Sequence, residues 1–415
     1  MAEQYPIRAI GEDEFDAFHV ATEHAFNDSP PTGRRRAEML ARFELDRSLA
    51  AFDGSTPVAS AGAWTFRMCV PGALSAVAGV TWVAVMPSYR RRGILSSLMR
   101  RQLDDIHERG ESLAVLWASE AGIYGRYGYG RASWHASFTI GHGEGALAGD
   151  IATDPGLRLR IAEPQAAMAG LAKVYDALLP GQPGLFSRNE GWWNRILDDP
   201  EEDRHGSAPL RCILAEDDAG PRGYALYSSR SRWDEETFLP DAALDIRELI
   251  ATDPAATAAL WADLLSRDLV SELTARLRPV DDPLLQLLAD PRRARPRVSD
   301  GLWARIMDVP GALSLRHYAC PVDVVIEVID EMCPWNQGSW RLTGAGPAGG
   351  ATCERTSAPA DVILPVATLG AAYLGGTRLG ALARAGLAAE ARAGALATLS
   401  AALSWDPAPW CPVIF

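Results

Sequence analysis

The clearest pattern of hydrophobic and polar positions in the sequence lies in the stretch 80–99. Residues 80–85 are β-branched or apolar, which favours a buried strand, and Pro87 ends that strand. After a basic stretch, the apolar residues between 94 and 99 fall on one face of a helix. The pattern therefore predicts a strand that turns through a basic loop, with Gly93 at its end, into an amphipathic helix.

The segment from Ile7 to about Gly145 predicts elements in the order β-α-α-β-β-β-α-β-α-β. Helical periodicity covers Glu12–Ala25 and Arg34–Phe43. Asp53-Gly54 lies between two apolar runs, which is typical of a β-hairpin. We therefore predict a first α/β domain over residues 1–147.

Residues 148–297 show a similar order of elements and form a second predicted domain. A hairpin and a strand lead through Asp253-Pro254 into an apolar helix. Asp253-Pro254 occupies the position in the second segment that Arg90–Gly93 occupies in the first. An aspartate N-cap followed by proline begins a helix well, but it leaves an anion where a phosphate would sit. We therefore predict that the second copy does not bind a phosphate at this point.

Residues 298–415 form a third predicted domain, of the α+β type. Residues 322–328 predict a strand, and residues 360–374 predict a helix that is interrupted at Pro365. A last helix is predicted over residues 394–403.

Composition limits the function classes. A chain of 415 residues is too long for one core, and 48% hydrophobic with 22% charged residues is typical of a globular protein. The net charge of −13 argues against nucleic acid and favours small cationic partners. The six cysteines and seven histidines show no metal-ligand spacing, so we predict buried thiols and no metal. With no signal-peptide pattern and no run of about 20 apolar residues, we predict a cytoplasmic protein that does not bind membranes.

The basic stretch Arg90-Arg91-Arg92-Gly93 suits a polyphosphate. Backbone N–H groups at a helix start point outward, the helix dipole favours an anion there, and glycine allows close approach. The stretch lacks the second glycine and the Lys-Ser/Thr of a Walker loop, and it lacks GxGxxG. Arginine runs also occur on solvated faces, so this stretch alone leaves both interpretations open.

The order Arg90-x-x-Gly93-x-Leu95, after a strand that ends in Val83-Ala84-Val85, resembles motif A of the GCN5-related N-acetyltransferases (GNAT). Further segments resemble the enhanced intracellular survival (Eis) family of bacterial acetyltransferases. They lie at both ends of the chain, so the resemblance covers all of it. These segments are Phe43–Arg47 with Ala51–Gly54, Ser119-Glu120 with Ile123–Gly130, and Pro409–Phe415.

The resemblance implies an α/β (α+β) fold of three parts. Two GNAT-like domains follow each other, the first cofactor-binding and the second degenerate, and a sterol-carrier-like α+β domain ends the chain. That last domain is interpreted either as a scaffold or as a lipid-binding module.

The resemblance also implies acetyl-CoA as the cofactor. In the GNAT superfamily the arginine loop holds the pyrophosphate of coenzyme A, and the strand before it holds the pantetheine arm. A backbone N–H of that strand, here around Val83, points at the thioester oxygen. The residues implied for cofactor binding are Val83, Val85, Arg90, Arg91, Gly93, Ile94 and Ser119.

Acetyl transfer to an amine also needs an acid and a base. Tyr124 matches the family tyrosine that protonates the leaving thiolate, and a phenol with a pKa of about 10 is near a thiol at about 8.5. Spacing alone favours a packing role for Tyr124, and the acid role rests on the motif match. In the Eis family the base is the α-carboxylate of the final phenylalanine, here Phe415. Chain ends commonly fray, but this one is apolar, aromatic and proline-rich, as a docked terminus would be.

Trp82 matches an aromatic position of the Eis amine pocket. Asp28 and Trp64 are further candidates for this pocket, and each also fits an ordinary loop or core role. An acidic, aromatic pocket suits polycationic amines such as aminoglycosides, lysine side chains or polyamines.

We therefore predict an acetyl-CoA-dependent N-acetyltransferase that acts on primary amines by direct attack in a ternary complex. The resemblance implies a homo-hexamer, a dimer of trimers. The alternative is a non-catalytic acyl-CoA-binding sensor or lipid-binding protein on the same scaffold, which would not turn over any amine.

Overall fold

The computed structural model describes residues 4–415. Its strands are β1 (Ile7–Ala9), β2 (Leu49–Asp53), β3 (Thr56–Val70), β4 (Ala73–Val85), β5 (Leu113–Trp117), β6 (Gly130–Arg131), β7 (Trp134–Gly141), β8 (Arg158–Ala162), β9 (Arg211–Asp217), β10 (Gly220–Arg230), β11 (Ala242–Ala251), β12 (Val270–Arg278), β13 (Arg297–Asp300), β14 (Leu302–Ile306), β15 (Val322–Ile329), β16 (Gly338–Gly344), β17 (Ala351–Arg355), β18 (Val362–Pro365) and β19 (Ala389–Glu390). Its helices are α1 (Phe15–Phe26), α2 (Gly33–Arg42), α3 (Ile94–Glu108), α4 (Ala121–Tyr124), α5 (Pro164–Leu178), α6 (Glu190–Leu197), α7 (Pro254–Leu265), α8 (Leu284–Leu287), α9 (Val309–Leu315), α10 (Val366–Tyr373), α11 (Leu379–Arg384) and α12 (Ala395–Leu403).

The chain divides into two units that are discontinuous in sequence. The first contains the chain up to Ser133, Leu302–Asp406 and Ile414–Phe415, and the second contains Trp134–Gly301 and Pro407–Val413. The chain therefore passes between units at other points than residues 147 and 297. The domain bounds 1–147, 148–297 and 298–415 stay predictions, and residues 1–3 lie outside the described part of the chain.

The first unit contains a seven-stranded sheet in the order β1-β2-β3-β4-β5-β14-β6. β4 and β5 are parallel, and α3 connects them. β14, which follows the second predicted domain in sequence, is antiparallel to both β5 and β6. Helices cover both faces: Leu49 packs with Leu98 of α3, whereas its neighbour Ala50 packs with Phe15 of α1.

The same unit contains the five-stranded sheet β17-β16-β15-β18-β19. The helix predicted over residues 360–374 is wrong in its first part. Val362–Pro365 is strand β18, which runs parallel to β15, and the helix begins only at Val366. The β-branched Val362 and Ile363 suit a sheet, and Pro365 stands at the N-cap of α10.

Helix α10 packs directly on β6 and β14. A Cβ atom at Gly130 would collide with the backbone carbonyl of Ala367, and one at Gly370 would collide with that of Ala304. Beside this contact, the fully buried Arg305 donates to Asp330 at 2.9 Å. Strand β6, which follows the loop that carries Tyr124, therefore rests on the sterol-carrier-like segment.

The second unit contains the sheet β13-β7-β12-β11-β10-β9-β8, with Trp261 of α7 fully buried against it. The predicted N-cap is confirmed: the Asp253 side chain accepts hydrogen bonds from the N–H groups of Ala255 and Ala256 at 3.0 Å. Arg222 donates two more hydrogen bonds to the same carboxylate. The start of α7 is thus occupied by the protein's own anion.

Within residues 4–415, no helix combines the length and the apolar character that a membrane span requires. The same residues include no group of three or more His, Cys, Asp or Glu side chains that could hold a metal ion.

Candidate active site

Strands β4 and β5 are paired over only part of their length. The pairing runs from Val77 opposite Leu113 to Val80 opposite Leu116. β4 continues to Val85, so among the described residues its end has no partner on β5. Backbone N–H and C=O groups on that side of β4 therefore face a gap, and a ligand can satisfy them.

A bulge in β4 marks the point of separation. Trp82 has a φ of 52°, which is strained for a bulky residue, and the pairing with β3 shifts between Ser60 and Gly62. Two hydrogen bonds of 2.8 Å hold the bulge: Ser60 donates to the Trp82 carbonyl, and Thr22 donates to Ser60. Gly62 is required because a Cβ there would lie 2.6 Å from the Trp82 ring. Strain of this kind is common at functional sites.

A cavity of about 830 Å³ opens where the strands separate. The structure places every residue predicted for cofactor binding, together with the predicted acid, in the lining of this one cavity. They are Val83 and Val85 on β4, Arg90, Arg91, Gly93 and Ile94 at the start of α3, and Ser119 and Tyr124 after β5.

The three consecutive arginines have different environments. Arg92 donates to the Tyr5 hydroxyl at 2.8 Å and to the Ser88 carbonyl at 2.9 Å. Arg90 and Arg91 instead line the cavity. Arg91 has a φ of 62°, and Gly93, the N-cap of α3, has a φ of 79°. The positive φ values turn the chain sharply, and the start of α3 borders the same cavity as Arg90 and Arg91.

Tyr124 ends the short helix α4 and is 5% exposed. Burial raises the pKa of its phenol to about 12, although the neighbouring Ser119 side chain acts in the opposite direction. The phenol therefore carries its proton throughout the neutral and moderately alkaline range. Tyr129, directly after the Gly128 turn, donates its backbone N–H to the Tyr124 carbonyl at 3.3 Å and so anchors the end of α4.

Phe415 lies against the first sheet. The Thr81 hydroxyl donates to the backbone oxygen of Phe415 at 3.2 Å, and the Phe415 ring packs on the Phe66 ring with centroids 5.1 Å apart. Gly79 leaves room for both rings. Trp64 is paired opposite Gly79, so Phe415 lies on the sheet face that also carries Trp64.

Trp82 and Trp64 contact each other, with ring centroids 5.0 Å apart. Trp82 also stacks on Phe43 at 4.9 Å and meets the edge of His19. His19 is fully buried, and neither ring nitrogen has a hydrogen-bond partner among the described residues. Burial lowers the pKa of His19 to about 4, so the imidazole is neutral.

Asp28 is exposed in the loop after α1, where its carboxylate accepts a hydrogen bond from the N–H of Ser29 at 2.7 Å. Ala25 and Phe26, at the end of α1, line the cavity. Within the described chain, Asp28, Trp64, Trp82 and Phe415 are not part of that lining. The structure thus brings the cofactor residues and Tyr124 together in one cavity lining, whereas Trp82, Trp64 and Phe415 pack on the first sheet outside that lining.

Comparison with known proteins matches three consecutive segments of the chain to family models. Models of acetyltransferase (GNAT) domains match residues 6–132 and 184–306, and a sterol carrier protein domain matches residues 309–412. An uncharacterized N-acetyltransferase of Streptomyces coelicolor is 44% identical over 410 residues, 98% of both chains. The N-acetyltransferase Eis of Mycobacterium tuberculosis is 34% identical over 343 residues, 80% of this chain and 79% of its own length. This chain belongs to the Eis family of N-acetyltransferases.

The crystal structure of Eis1 from Mycobacterium abscessus supports the same assignment. It is 32% identical, has a TM-score of 0.82, and matches 99% of this chain and 100% of its own. The predicted fold class and enzyme class are therefore confirmed: this Eis-family enzyme has two GNAT domains followed by a sterol-carrier-like domain.

A GNAT fold implies an acetyl-CoA cofactor, and the cavity of this Eis-family enzyme fits one. Its volume of about 830 Å³ lies within the range of about 300–1,000 Å³ that is usual for ligand sites. The unpaired edge of β4 suits the amides of a pantetheine arm, and the start of α3 suits phosphate.

Several residues at the site were not predicted. Arg126 and Glu120 line the cavity, and Thr81 contacts Phe415. The sequence did contain a signal for Arg126 and Glu120, because both lie within the segments that resemble the Eis family. No signal pointed to Thr81 or to Phe66, since their roles depend on where the distant residue 415 docks.

Proposed function

We propose that the enzyme acetylates primary amines of polycationic substrates, such as aminoglycosides, lysine side chains or polyamines, by direct attack in a ternary complex. The observation that carries the proposal is the single cavity that joins the arginine loop to Tyr124. Phe415, held by Thr81 on the same β4 strand, supports a role for the terminal carboxylate. Asp28, Trp64 and Trp82 remain the candidates for the amine pocket.

In this proposal the cofactor-binding residues hold acetyl-CoA and orient its thioester. Arg90, Arg91 and the first N–H groups of α3, including that of Ile94, bind the phosphates. Val83 and Val85 bind the pantetheine arm through their backbone, and the Val83 N–H is the donor for the thioester oxygen. Acetyl-CoA supplies the acetyl group as an activated thioester. Ser119 lies beside Tyr124 and orients its hydroxyl.

Tyr124 acts as the acid for the leaving thiolate. Its pKa of about 12 keeps the proton in place until it is needed. A free thiol has a pKa of about 8.5, which would make the transfer unfavourable in water. The same buried surroundings that disfavour a phenolate also disfavour a thiolate, so the two pKa values approach each other in the cavity.

The α-carboxylate of Phe415 attracts the cationic substrate and accepts the amine proton. A carboxyl pKa near 3.5 lies about 7 units below that of a free ammonium, so direct deprotonation would cost about 9 kcal/mol. The nitrogen becomes far more acidic once it has bonded to the carbonyl carbon. Before attack, the carboxylate therefore attracts the ammonium form electrostatically. The amine loses one proton to solvent and attacks as the neutral form, and the carboxylate then accepts the second proton from the adduct nitrogen.

The test is acetyl transfer to kanamycin, spermidine and a lysine peptide. The release of coenzyme A and the mass of the product are measured. Initial rates are measured while both substrates are varied. We expect acetylated amines and intersecting double-reciprocal lines, as a ternary complex requires. Parallel lines with an acetylated enzyme intermediate would contradict direct attack. Coenzyme A binding without turnover on the panel would contradict the proposed substrate class.

A further inference from the structure

Arg126 is a third arginine in the lining of the cavity. It lies in the short 3-10 helix Gly125–Tyr127, directly after α4, and not in the loop that carries Arg90 and Arg91. Its side chain is exposed and makes no hydrogen bond or ion pair with any described residue. The side chain is thus available to a ligand.

A hydrogen bond fixes this 3-10 helix beside the start of α3. The hydroxyl groups of Tyr127 and Ser96 lie 3.2 Å apart, and Ser96 belongs to the first turn of α3. Tyr127 is buried. The backbone that carries Arg126 is therefore held beside the start of α3 through the side chain of its neighbour Tyr127.

The charges at the cavity are unusual for this protein. The chain as a whole carries a net charge of −13, yet among residues 4–415 the cavity lining includes three arginines and one acidic residue, Glu120. Arg90, Arg91 and Arg126 repel each other in the absence of an anion, and arginine cannot lose its charge near neutral pH. Such a cluster is stabilised when a multiply charged anion binds.

We propose that Arg126 binds the 3′-phosphate of coenzyme A. This inference rests on the proposed use of acetyl-CoA in the cavity. Arg90, Arg91 and the helix start suit the pyrophosphate. The 3′-phosphate is a separate phosphomonoester, which carries about −1.5 to −2 charges at pH 7. It needs a cation of its own, and a guanidinium can bind it through two parallel hydrogen bonds.

The experiment is calorimetric titration of the full chain with coenzyme A and with 3′-dephospho-coenzyme A. It compares the wild type, Arg126→Ala, Arg126→Lys and a control, Arg276→Ala, which removes an exposed arginine of the second unit. For a charge-assisted pair at a partly exposed site, we expect Arg126→Ala to weaken coenzyme A binding about tenfold. Binding of the dephospho form should stay within about twofold. Arg126→Lys should recover part of the loss, and the control should match the wild type.

The two ligands separate the possible results. An equal loss for both ligands, or no loss for either, would overturn the role of Arg126 at the 3′-phosphate while leaving the cofactor site intact. If the wild type bound neither ligand, the proposed function would fail together with this inference. A loss confined to coenzyme A supports the inference, because the two ligands differ only in that phosphate.

Discussion

At the scale of single residues, burial determines the chemistry of Tyr124. The phenol is nearly inaccessible, and this raises its pKa to about 12. Its neighbour Tyr129 is fully buried as well, but its hydroxyl has no hydrogen-bond partner in the described chain. The ring centroids of the two tyrosines lie 6.1 Å apart, so the two rings share their surroundings. Of the two, Tyr124 lines the cavity. They form a matched pair for mutagenesis.

Tyr124→Phe should lower kcat about 10²- to 10³-fold, because a positioned general acid contributes a factor of that size. The dissociation constant of acetyl-CoA should change by less than about threefold, since the variant keeps the ring and the cavity wall. Tyr129→Phe removes a hydroxyl that has no hydrogen-bond partner among residues 4–415, so it should retain wild-type kcat. Steady-state kinetics and calorimetry check both variants. Wild-type turnover by Tyr124→Phe would exclude the phenol as the acid.

The pKa of Tyr124 also predicts the pH profile. A raised pKa keeps the phenol protonated below about pH 12, whereas an ordinary tyrosine would lose its proton near pH 10. The attacking amine must be neutral, so kcat/KM should rise with pH and should show no fall due to Tyr124 up to about pH 10.5. Rates measured between pH 6 and 10.5 test this. A fall that begins near pH 9 and disappears in Tyr124→Phe would contradict it.

His19 predicts a pH dependence of stability. Its folded pKa of about 4 lies below the ordinary value of 6.5, so the unfolded chain takes up a proton first as the pH falls. Stability should therefore be lost between about pH 6.5 and 4, by up to about 3 kcal/mol. Denaturant unfolding at pH 7.5 and 5 measures the loss. His19→Leu should reduce this loss, and His205→Asn, at an exposed position, should not. If His19→Leu lost as much stability between pH 7.5 and pH 5 as the wild type, His19 would not be the cause of the loss.

At the scale of elements, the sequence predicted the strand, loop and helix of residues 80–99, because β-branched residues, proline, glycine and helical periodicity are local signals. The bulge at Trp82 could not be predicted, since it depends on Ser60 and Gly62 of the neighbouring strand. The prediction of a helix before Pro365 was wrong because Val362–Pro365 pairs in parallel with strand β15, and the sequence around it carries no signal for that distant partner.

Helix α10 makes the sterol-carrier-like segment part of the support of Tyr124's loop. Gly130→Ala would force a Cβ into the backbone of α10, so we expect a loss of stability of more than about 2 kcal/mol and reduced kcat. Gly125 lies five residues earlier and has a helical φ of −57°, and a Cβ there meets nothing within 4 Å. The stability of Gly125→Ala should therefore stay within about 1 kcal/mol of wild type. Thermal unfolding measures both, and equal stability of the two variants would contradict the close contact.

At the scale of the whole molecule, the sequence predicted two GNAT-like segments and a sterol-carrier-like segment. It did not predict which strands of one segment pair with strands of another. β7 pairs with β12 and β13 in the second sheet, and β14 inserts between β5 and β6 in the first. Strand partners distant in sequence have no local signal, so the predicted bounds at residues 147 and 297 followed chain order alone. The docking of Phe415 beside Thr81 is a long-range contact of the same kind.

The homo-hexamer stays a prediction. Light scattering of the purified protein should give about 270 kDa for six copies of the 44.7 kDa chain. A mass near 45 kDa or 90 kDa that does not change with protein concentration would contradict it.

Truncation shows whether the α-carboxylate of Phe415 takes part in acetyl transfer. Deletion of Phe415 should lower kcat for an aminoglycoside about 10²-fold or more, with acetyl-CoA binding unchanged, because the carboxylate is moved and the cofactor cavity is not. Phe415→Leu, which keeps a carboxylate at the same position, should stay within about tenfold of wild type. If the deletion variant acetylated the amine at the wild-type rate, the carboxylate would have no part in the reaction.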